Sequence, residues 1–431
     1  MSVAEGGVSY QDIAKFILPG FAMLVLQFTV QLGPLAPLLF VMTSFAAAYV
    51  YREEISKYFV FLLPIMAAGL FPVVSTLWSQ APSTTLKLSA EVVLTMLVGI
   101  GIGVSDRRSE TIVSLAAAFA IFLFVSFIFG GSVAWGATAG STAFAGLNGG
   151  KSAMADSASL ALIGGLAAVF VIPKRGNGVF LAGAFLLTIV VATYILVQAR
   201  SSGAIVSATS CVALFLTLMI YRLSSNLSRV IAVLSVLIAV SILIFLFVTF
   251  KDEIATTVLA ALGKDPTLTG RVYLWARAEP IMAQNPLLGV GYGSFWRVGN
   301  ADAEGLWRYA GITSQKGFNF HNAMVEMRIN IGWIGYGLIA AVTVMFTLSL
   351  LGYMVLVPEI EAMFWLVIGI LYLSRVQIEA VGLAPFNHVT VLLTAMLSFS
   401  AAAVARARHA AADTVPARRT RRTSARRAAV Y

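Results

Sequence analysis

Three histidines, His321, His388 and His409, are the side chains here that take up a proton near neutral pH at their ordinary values. His321 stands in Phe320-His321-Asn322, with the acid Glu326 one turn after Asn322 on the following helix, a setting in which it could serve as a general base. A lone histidine serves more often in structure than in catalysis, so residue type leaves both roles open. Arg271, in Leu268-Thr269-Gly270-Arg271, precedes a helix-forming stretch through Trp275 and Ile281, and Thr269 can cap that helix. A guanidinium near the positive end of a helix offers two donors to an anion, which suits phosphate. Gly289, Gly291 and Gly293 have the look of a nucleotide loop but lack its strand and helix context, and they read as a tight turn.

The elements that position these residues have to live in lipid. Of 431 residues, 59% are hydrophobic and 11% charged, with a mean hydropathy of +0.90, outside the range of a water-soluble domain. Runs of roughly 18 to 22 apolar residues recur, each able to cross about 30 Å of hydrocarbon as a helix, whereas a β-barrel would show short alternating segments. The expected spans are 16–32, 34–51, 58–78, 86–104, 111–132, 153–173, 179–197, 203–221, 229–250, 327–352, 361–374 and 384–404. Gly33 and Pro34 break the first long apolar stretch into a hairpin. The N-terminal segment, Met1 to Lys15, leads into an uncleaved first helix. The fold class is thus an all-α membrane protein of about 12 transmembrane helices, with residues 1–404 as a polytopic domain, a long loop at 251–326 and a basic, disordered tail at 405–431. The one cysteine, Cys211, lies in an apolar run and excludes intramolecular disulfides and cysteine-rich metal sites.

Positive charge in short loops is retained on the cytoplasmic side. One side carries nine cations, Lys15, Arg52, Lys57, Arg107, Arg108, Lys174, Arg175, Arg222 and Arg229; the other carries four, Lys87, Lys151, Arg200 and Arg375. Nine against four places the first side, and both termini, in the cytoplasm, and makes the 251–326 loop external. The tail holds eight arginines and one acid, Asp413, so it supplies +7 of the formal +10. Such a segment is drawn to anionic lipid, and nothing beside it suggests nucleic acid.

With that orientation, Glu91, Asp156, Arg200, Glu326, Arg375 and His388 all map to the outer ends of their helices. Charges there are costly, and the shorter acids snorkel poorly, so the coincidence points to one outward-opening site. Arg375 has no nearby acid before Glu379, and could meet phosphate or sugar or form a local ion pair.

The run from Thr267 to Gly335, with Thr-Gly-Arg, Asn-Pro-Leu-Leu-Gly-Val-Gly-Tyr-Gly-Ser-Phe-Trp, His-Asn and Ile-Gly-Trp-Ile-Gly, resembles the O-antigen ligase and polysaccharide polymerase family. Leu77-Trp78-Ser79-Gln80-Ala81-Pro82 looks like the family's first outer loop, and Ala199-Arg200-Ser201-Ser202-Gly203 like its arginine-bearing outer segment. The resemblance implies a metal-independent, inverting glycosyltransferase of the bacterial inner membrane, acting at the periplasmic face on saccharides linked to undecaprenyl diphosphate, without cofactor. It implies that His321 deprotonates the acceptor hydroxyl and that Arg271 and Arg200 hold the diphosphate, with Asn322 and Glu326 in support. Ala199 stands where the family commonly has serine. Lys151, in Gly149-Gly150-Lys151-Ser152, resembles an outer-loop segment of the polymerase branch and, with Arg375, is a secondary diphosphate candidate. The acids in Asp302-Ala303-Glu304 could imitate a metal-binding pair but read as a solvated loop.

The wording of the loop is nearest the branch that polymerises repeat units into an exopolysaccharide, with a flippase and a chain-length regulator as partners. Ligation to lipid A core, or to a protein, would use the same chemistry with another acceptor. A secondary transporter fits less well, because transporters show related halves and midplane sites, and here the long loop follows span nine. The topology has a direct test: reporter fusions at Lys264 and after Arg406 should give opposite readouts, and matching ones would remove the even-span arrangement.

Overall fold

The computed structural model describes residues 9–134, 140–225, 227–229, 231, 270–377, 379–380 and 382–414. Its helices are α1 (Tyr10–Gln27), α2 (Thr29–Leu32), α3 (Leu35–Val50), α4 (Arg52–Val74), α5 (Pro82–Val104), α6 (Arg108–Phe129), α7 (Lys151–Val171), α8 (Asn177–Gln198), α9 (Ser202–Leu223), α10 (Arg271–Gln284), α11 (Ala301–Tyr309), α12 (Ala323–Leu356), α13 (Ile360–Leu373) and α14 (His388–Thr414). Among the described residues, eight helical stretches are long and apolar enough to cross a membrane, so this is an all-α membrane protein. Helices occupy eleven of the twelve expected spans. The ninth, 229–250, lies almost wholly outside the described residues, as do the first part of the long loop, with Thr269, and residues 415–431.

The departures have local causes. α1 begins at Tyr10 because Ser9 and Asp12 form a reciprocal capping box. Between α6 and α7 the chain forms an antiparallel hairpin, β1 (Gly131–Ala134) with β2 (Thr142–Gly146), where a plain loop was expected. α14 runs ten residues past 404, to Thr414, so the start of the stretch read as disordered is helical; alanines at 401–403, 405, 407 and 410–412 favour that.

Ion pairs mark one face of the bundle. Lys15 pairs with Glu54 and, at 3.1 Å, with Asp106; Arg107 meets Asp12 at 2.6 Å; Arg108 pairs with Glu359. They bring the beginnings of α1, α4, α6 and α13 together. From that face α6, with 22 residues, rises about 33 Å, but α13, with 14, rises only about 21 Å. The chain after α13 therefore turns irregularly before reaching the opposite face, then returns as α14. Irregular backbone at such depth is tolerated where protein groups satisfy it. Here Phe386 N donates to Thr95 Oγ1 at 2.9 Å, Ala384 N to Thr390 Oγ1 at 2.9 Å, and Tyr292 OH to the Leu383 carbonyl at 2.7 Å. α14 packs close on α5, where a Cβ at Gly99 or Gly103 would run into the Val391 or Ala395 carbonyl.

A second break organises the loop. α12 is interrupted at Gly332, with φ 63° and ψ −171°. An unbroken helix would bond Trp333 N to the Ile329 carbonyl and Ile334 N to that of Asn330. Instead Trp333 N donates to Pro286 O at 2.8 Å and Ile334 N to Leu287 O at 3.1 Å, while Ile329 O and Asn330 O accept from Val290 N and Gly291 N, both at 2.9 Å. The segment around Asn285–Gly293 thus takes over the ladder that the break gives up. Its other edge docks on the turn after α4: Gln80 N donates to Val290 O at 3.0 Å, Trp78 Nε1 to Leu288 O at 3.0 Å, and Thr85 Oγ1 to Tyr292 O at 2.8 Å.

A side chain at 332 meets two obstacles, the positive φ and the Leu287 backbone where its Cβ would lie. Gly332→Ala should lower the thermal midpoint and monodisperse yield in detergent by the equivalent of about 1–3 kcal/mol from backbone strain alone. Gly337→Ala, whose Cβ would meet nothing within 4 Å, should be near neutral.

Candidate active site

His321 is held by its neighbours on both sides. Phe320 is fully buried; its N–H donates to Glu326 Oε2 at 3.0 Å and its carbonyl accepts from Trp275 Nε1 at 2.9 Å. Asn322 caps α12, its Oδ1 accepting from Met324 N at 3.0 Å and Val325 N at 3.2 Å. Ala323 N donates to Val376 O at 2.8 Å, which ties this turn to the segment after α13. Between these anchors His321 takes φ 50°, a left-handed conformation that the surrounding bonds must maintain. Glu326, half-buried, also accepts from Trp296 Nε1 at 3.0 Å and Asn330 Nδ2 at 3.2 Å. Asn322 and Glu326 therefore shape the histidine turn, and the aromatic cluster of Phe295, Trp296, Trp307, Phe318 and Phe320 packs behind it.

Arg271 is the first residue of α10, following Gly270 with φ 84°. It meets His321 through a residue that no motif singled out. Glu379 places Oε1 3.5 Å from Arg271 Nη2 and Oε2 3.7 Å from His321 Nδ1. The second distance exceeds an ordinary hydrogen bond and is an electrostatic contact. Burial raises the Glu379 carboxyl, but the adjacent His321 ring and the charges of Arg271 and Arg375 outweigh it and hold the group below the usual carboxylate range. A carboxylate beside Nδ1 favours the tautomer that carries its proton there, leaving Nε2 to accept one. Arg271 and His321 line a cavity of about 520 Å³ with Gly270, Leu274, Tyr309, Ala310 and Phe318.

The other expected site residues fall as follows. Lys151, at the start of α7, donates from Nζ to the Arg200 carbonyl at 3.3 Å, and Arg200 itself has φ 48°. Arg375 turns to Asp156, Nη1 to Oδ1 at 2.5 Å, rather than to Glu379 one turn on; Asp156 Oδ2 also meets His388 Nε2 at 2.8 Å. Tyr372 OH completes this buried group at 3.4 Å from Asp156. Asp156, Arg375 and His388 thus share one cluster, while Glu91 is half-buried on α5. Glu379 escaped sequence reading because 58 positions separate it from His321 and because a local ion pair with Arg375, four positions earlier, already accounted for it. The only sign was an acid in a short outer segment otherwise free of acids.

The family model described as O-Antigen ligase matches residues 187–340, which include Arg200, Arg271, His321 and Glu326. The exopolysaccharide production protein ExoQ of Rhizobium meliloti (strain 1021) is 31% identical over 297 residues, covering 68% of this chain and 66% of that protein. The match therefore spans just under two thirds of the relative's length.

Because folding favours the Glu379 carboxylate, the stability it contributes is complete above the ordinary glutamate value near pH 4.3 and lost as pH falls through its lower folded value. Glu379→Gln should lower turnover per folded molecule by about tenfold or more through loss of imidazole orientation. The difference in thermal midpoint between the variant and the parent protein should shrink as pH falls below about 4. A difference that persists undiminished well below that pH would contradict the assigned charge.

Proposed function

Because this chain belongs to the O-antigen ligase and polysaccharide polymerase family, we propose that it polymerises undecaprenyl-diphosphate-linked oligosaccharide repeat units into an exopolysaccharide at the periplasmic face of a bacterial inner membrane. The observation that carries this reading is the pairing of His321 and Arg271 on one polar cavity, with Glu379 in contact with both. A proton acceptor aligned by a carboxylate, next to a guanidinium, is what an attack by a sugar hydroxyl with a diphosphate leaving group requires.

In the step proposed, His321 Nε2 takes the proton of the acceptor hydroxyl as its oxygen attacks the sugar carbon. The bond from that carbon to the diphosphate oxygen breaks, its electron pair leaves with the diphosphate, and Arg271 neutralises the growing charge. One displacement inverts the carbon. No bound metal is required if guanidinium groups carry that charge, and Asp302 and Glu304 have other work. Both lie in the first turn of α11, where acids suit the helix dipole, and Glu304 Oε1 accepts from Gly299 N at 2.7 Å. Lys151 and Arg200 are further candidates for the diphosphate. Arg375, committed to Asp156, acts by holding the Glu379 segment.

A lipid-linked donor is supported by a second, apolar cavity of about 380 Å³, with Met324, Met327, Ile339, Leu348 and Leu373 in its walls. Ala323, two positions from His321, and Gln377, two positions from Glu379, also line it. Its position beside α12 and α13 suits the first prenyl units of the donor. The name of the R. meliloti relative favours a polymerase over ligation to lipid A core, which the same residues could also perform.

The two roles separate by mutation. His321→Ala should slow transfer by about 10² to 10⁴ while donor binding largely survives. Arg271→Lys keeps the charge but loses the planar fork and should impair turnover; Arg271→Ala should weaken donor binding as well. Product formed from a purified lipid-linked donor, normalised to monodisperse protein, is the measure. Activity should persist after chelation, and loss restored by Mg²⁺ or Mn²⁺ would overturn the metal-independent mechanism. Near-normal turnover by well-folded His321→Ala would remove the base assignment and turn attention to His388.

A further inference from the structure

Two tyrosines at the rim of the polar cavity take no part in the chemistry above. Tyr309, the last residue of α11, is 51% exposed, and Tyr273, in the first turn of α10, is 43% exposed. Their rings stack with centroids 4.0 Å apart and an interplanar angle of 30°. Tyr273 therefore covers one face of the Tyr309 ring. Tyr309 also lines the cavity, and Tyr273 is not among the described residues that do.

The position is rigid. Ala303, Leu306 and Trp307 bury the inner side of α11, and the Asn300 amide donates to the Phe295 carbonyl at 2.8 Å. Beyond the helix, Ala310 N donates to Leu306 O at 3.0 Å and Ile312 N to Trp307 O at 2.8 Å. A flat ring fixed in this way offers binding area at little entropic cost. Its chemistry also selects the ligand. The face of an aromatic ring is electronegative, which disfavours a diphosphate but suits the weakly positive C–H groups on one side of a pyranose. A tyrosine that merely anchored the protein among lipid headgroups would face lipid, whereas Tyr309 shares its cavity with Arg271 and His321.

We propose that Tyr309, backed by Tyr273, is the platform on which a sugar ring of the acceptor saccharide lies, with the attacking hydroxyl directed at His321. This assignment rests on the glycosyl-transfer reading and divides the cavity: Arg271 takes the donor diphosphate and Tyr309 the neutral acceptor.

The test uses the full-length protein in detergent, the purified lipid-linked donor, and as acceptor probe the oligosaccharide released from that donor by mild acid. Tyr309→Ala should raise the KM for the acceptor by about tenfold with the donor KM unchanged, and Tyr309→Trp should recover most of the loss. Saturation-transfer NMR should show ring-proton contacts between probe and parent protein that Tyr309→Ala loses and His321→Ala retains. If Tyr309→Ala is poorly folded, Tyr309→Leu, which keeps apolar bulk without a flat face, should show the same rise. An unchanged acceptor KM in a folded Ala or Leu variant, or a rise confined to the donor, would overturn the assignment. Absence of any transfer by the parent protein would instead overturn the function on which it rests.

Discussion

Backbone amides and carbonyls that leave a helix inside a membrane protein must find partners within the protein, and this demand organises the reactive half of the fold. α12 gives up two of its own hydrogen bonds at Gly332, and the Asn285–Gly293 segment supplies the replacement donors and acceptors. Because that segment also bonds to Trp78, Gln80 and Thr85, the end of α4, the start of α5 and the broken helix are locked to one another. The histidine turn sits at the N-terminal end of the short helical piece before the break, so its position follows from the lock. No large apolar contact surface would achieve this, since packing in lipid lacks the directionality that paired backbone groups impose.

That constraint explains which parts of the fold were legible in the sequence. Most spans can be read from apolar length alone, because lipid imposes a simple composition on any helix that crosses it. The Ile-Gly-Trp-Ile-Gly and Asn-Pro-Leu-Leu-Gly-Val-Gly-Tyr-Gly strings were visible as motifs, but their mutual pairing was not, since hydrogen bonds between backbone groups leave no residue-specific trace beyond the glycines. The reading of Gly289, Gly291 and Gly293 as a turn agrees with their positive φ values. The β1–β2 hairpin was missed because Thr142–Gly146 is short, small-residued and without a strong alternating pattern. α13 was legible both as apolar and, at 361–374, as short; the hydrogen bonds that satisfy the irregular segment after it were not.

The candidate site divides in the same way. His321 and Arg271 could be singled out because imidazole suits proton transfer and guanidinium suits anions, and because the motifs that carry them resemble the family's. Glu379 could not, because its meaning depends on contacts made across 58 positions and 108 positions of sequence. Without it, Arg271 would leave an uncompensated positive charge on the cavity that His321 also lines. With it, that charge has a partner that also faces the imidazole. One carboxylate thereby lets the proposed anion binding and the proposed base chemistry share one cavity.

What holds Glu379 in place is the buried group one turn earlier. An ion pair such as Arg375–Asp156 is worth little in net stability, because removing both charges from water costs about as much as their attraction returns. Its consequence is positional. Arg375 lies just after α13, where the chain leaves its helix, and Asp156 on α7 fixes that point while His388, the first residue of α14, meets the same carboxylate from the returning strand of chain. The two ends of the irregular segment are thus pinned to one oxygen pair. Glu379 N donates to the Arg375 carbonyl at 2.9 Å, and Val376 O receives the Ala323 amide at the head of α12. Through those two bonds the position of the buried pair is passed to both members of the Glu379–His321 contact, so a cluster outside the lining of the polar cavity sets the distance between those two groups.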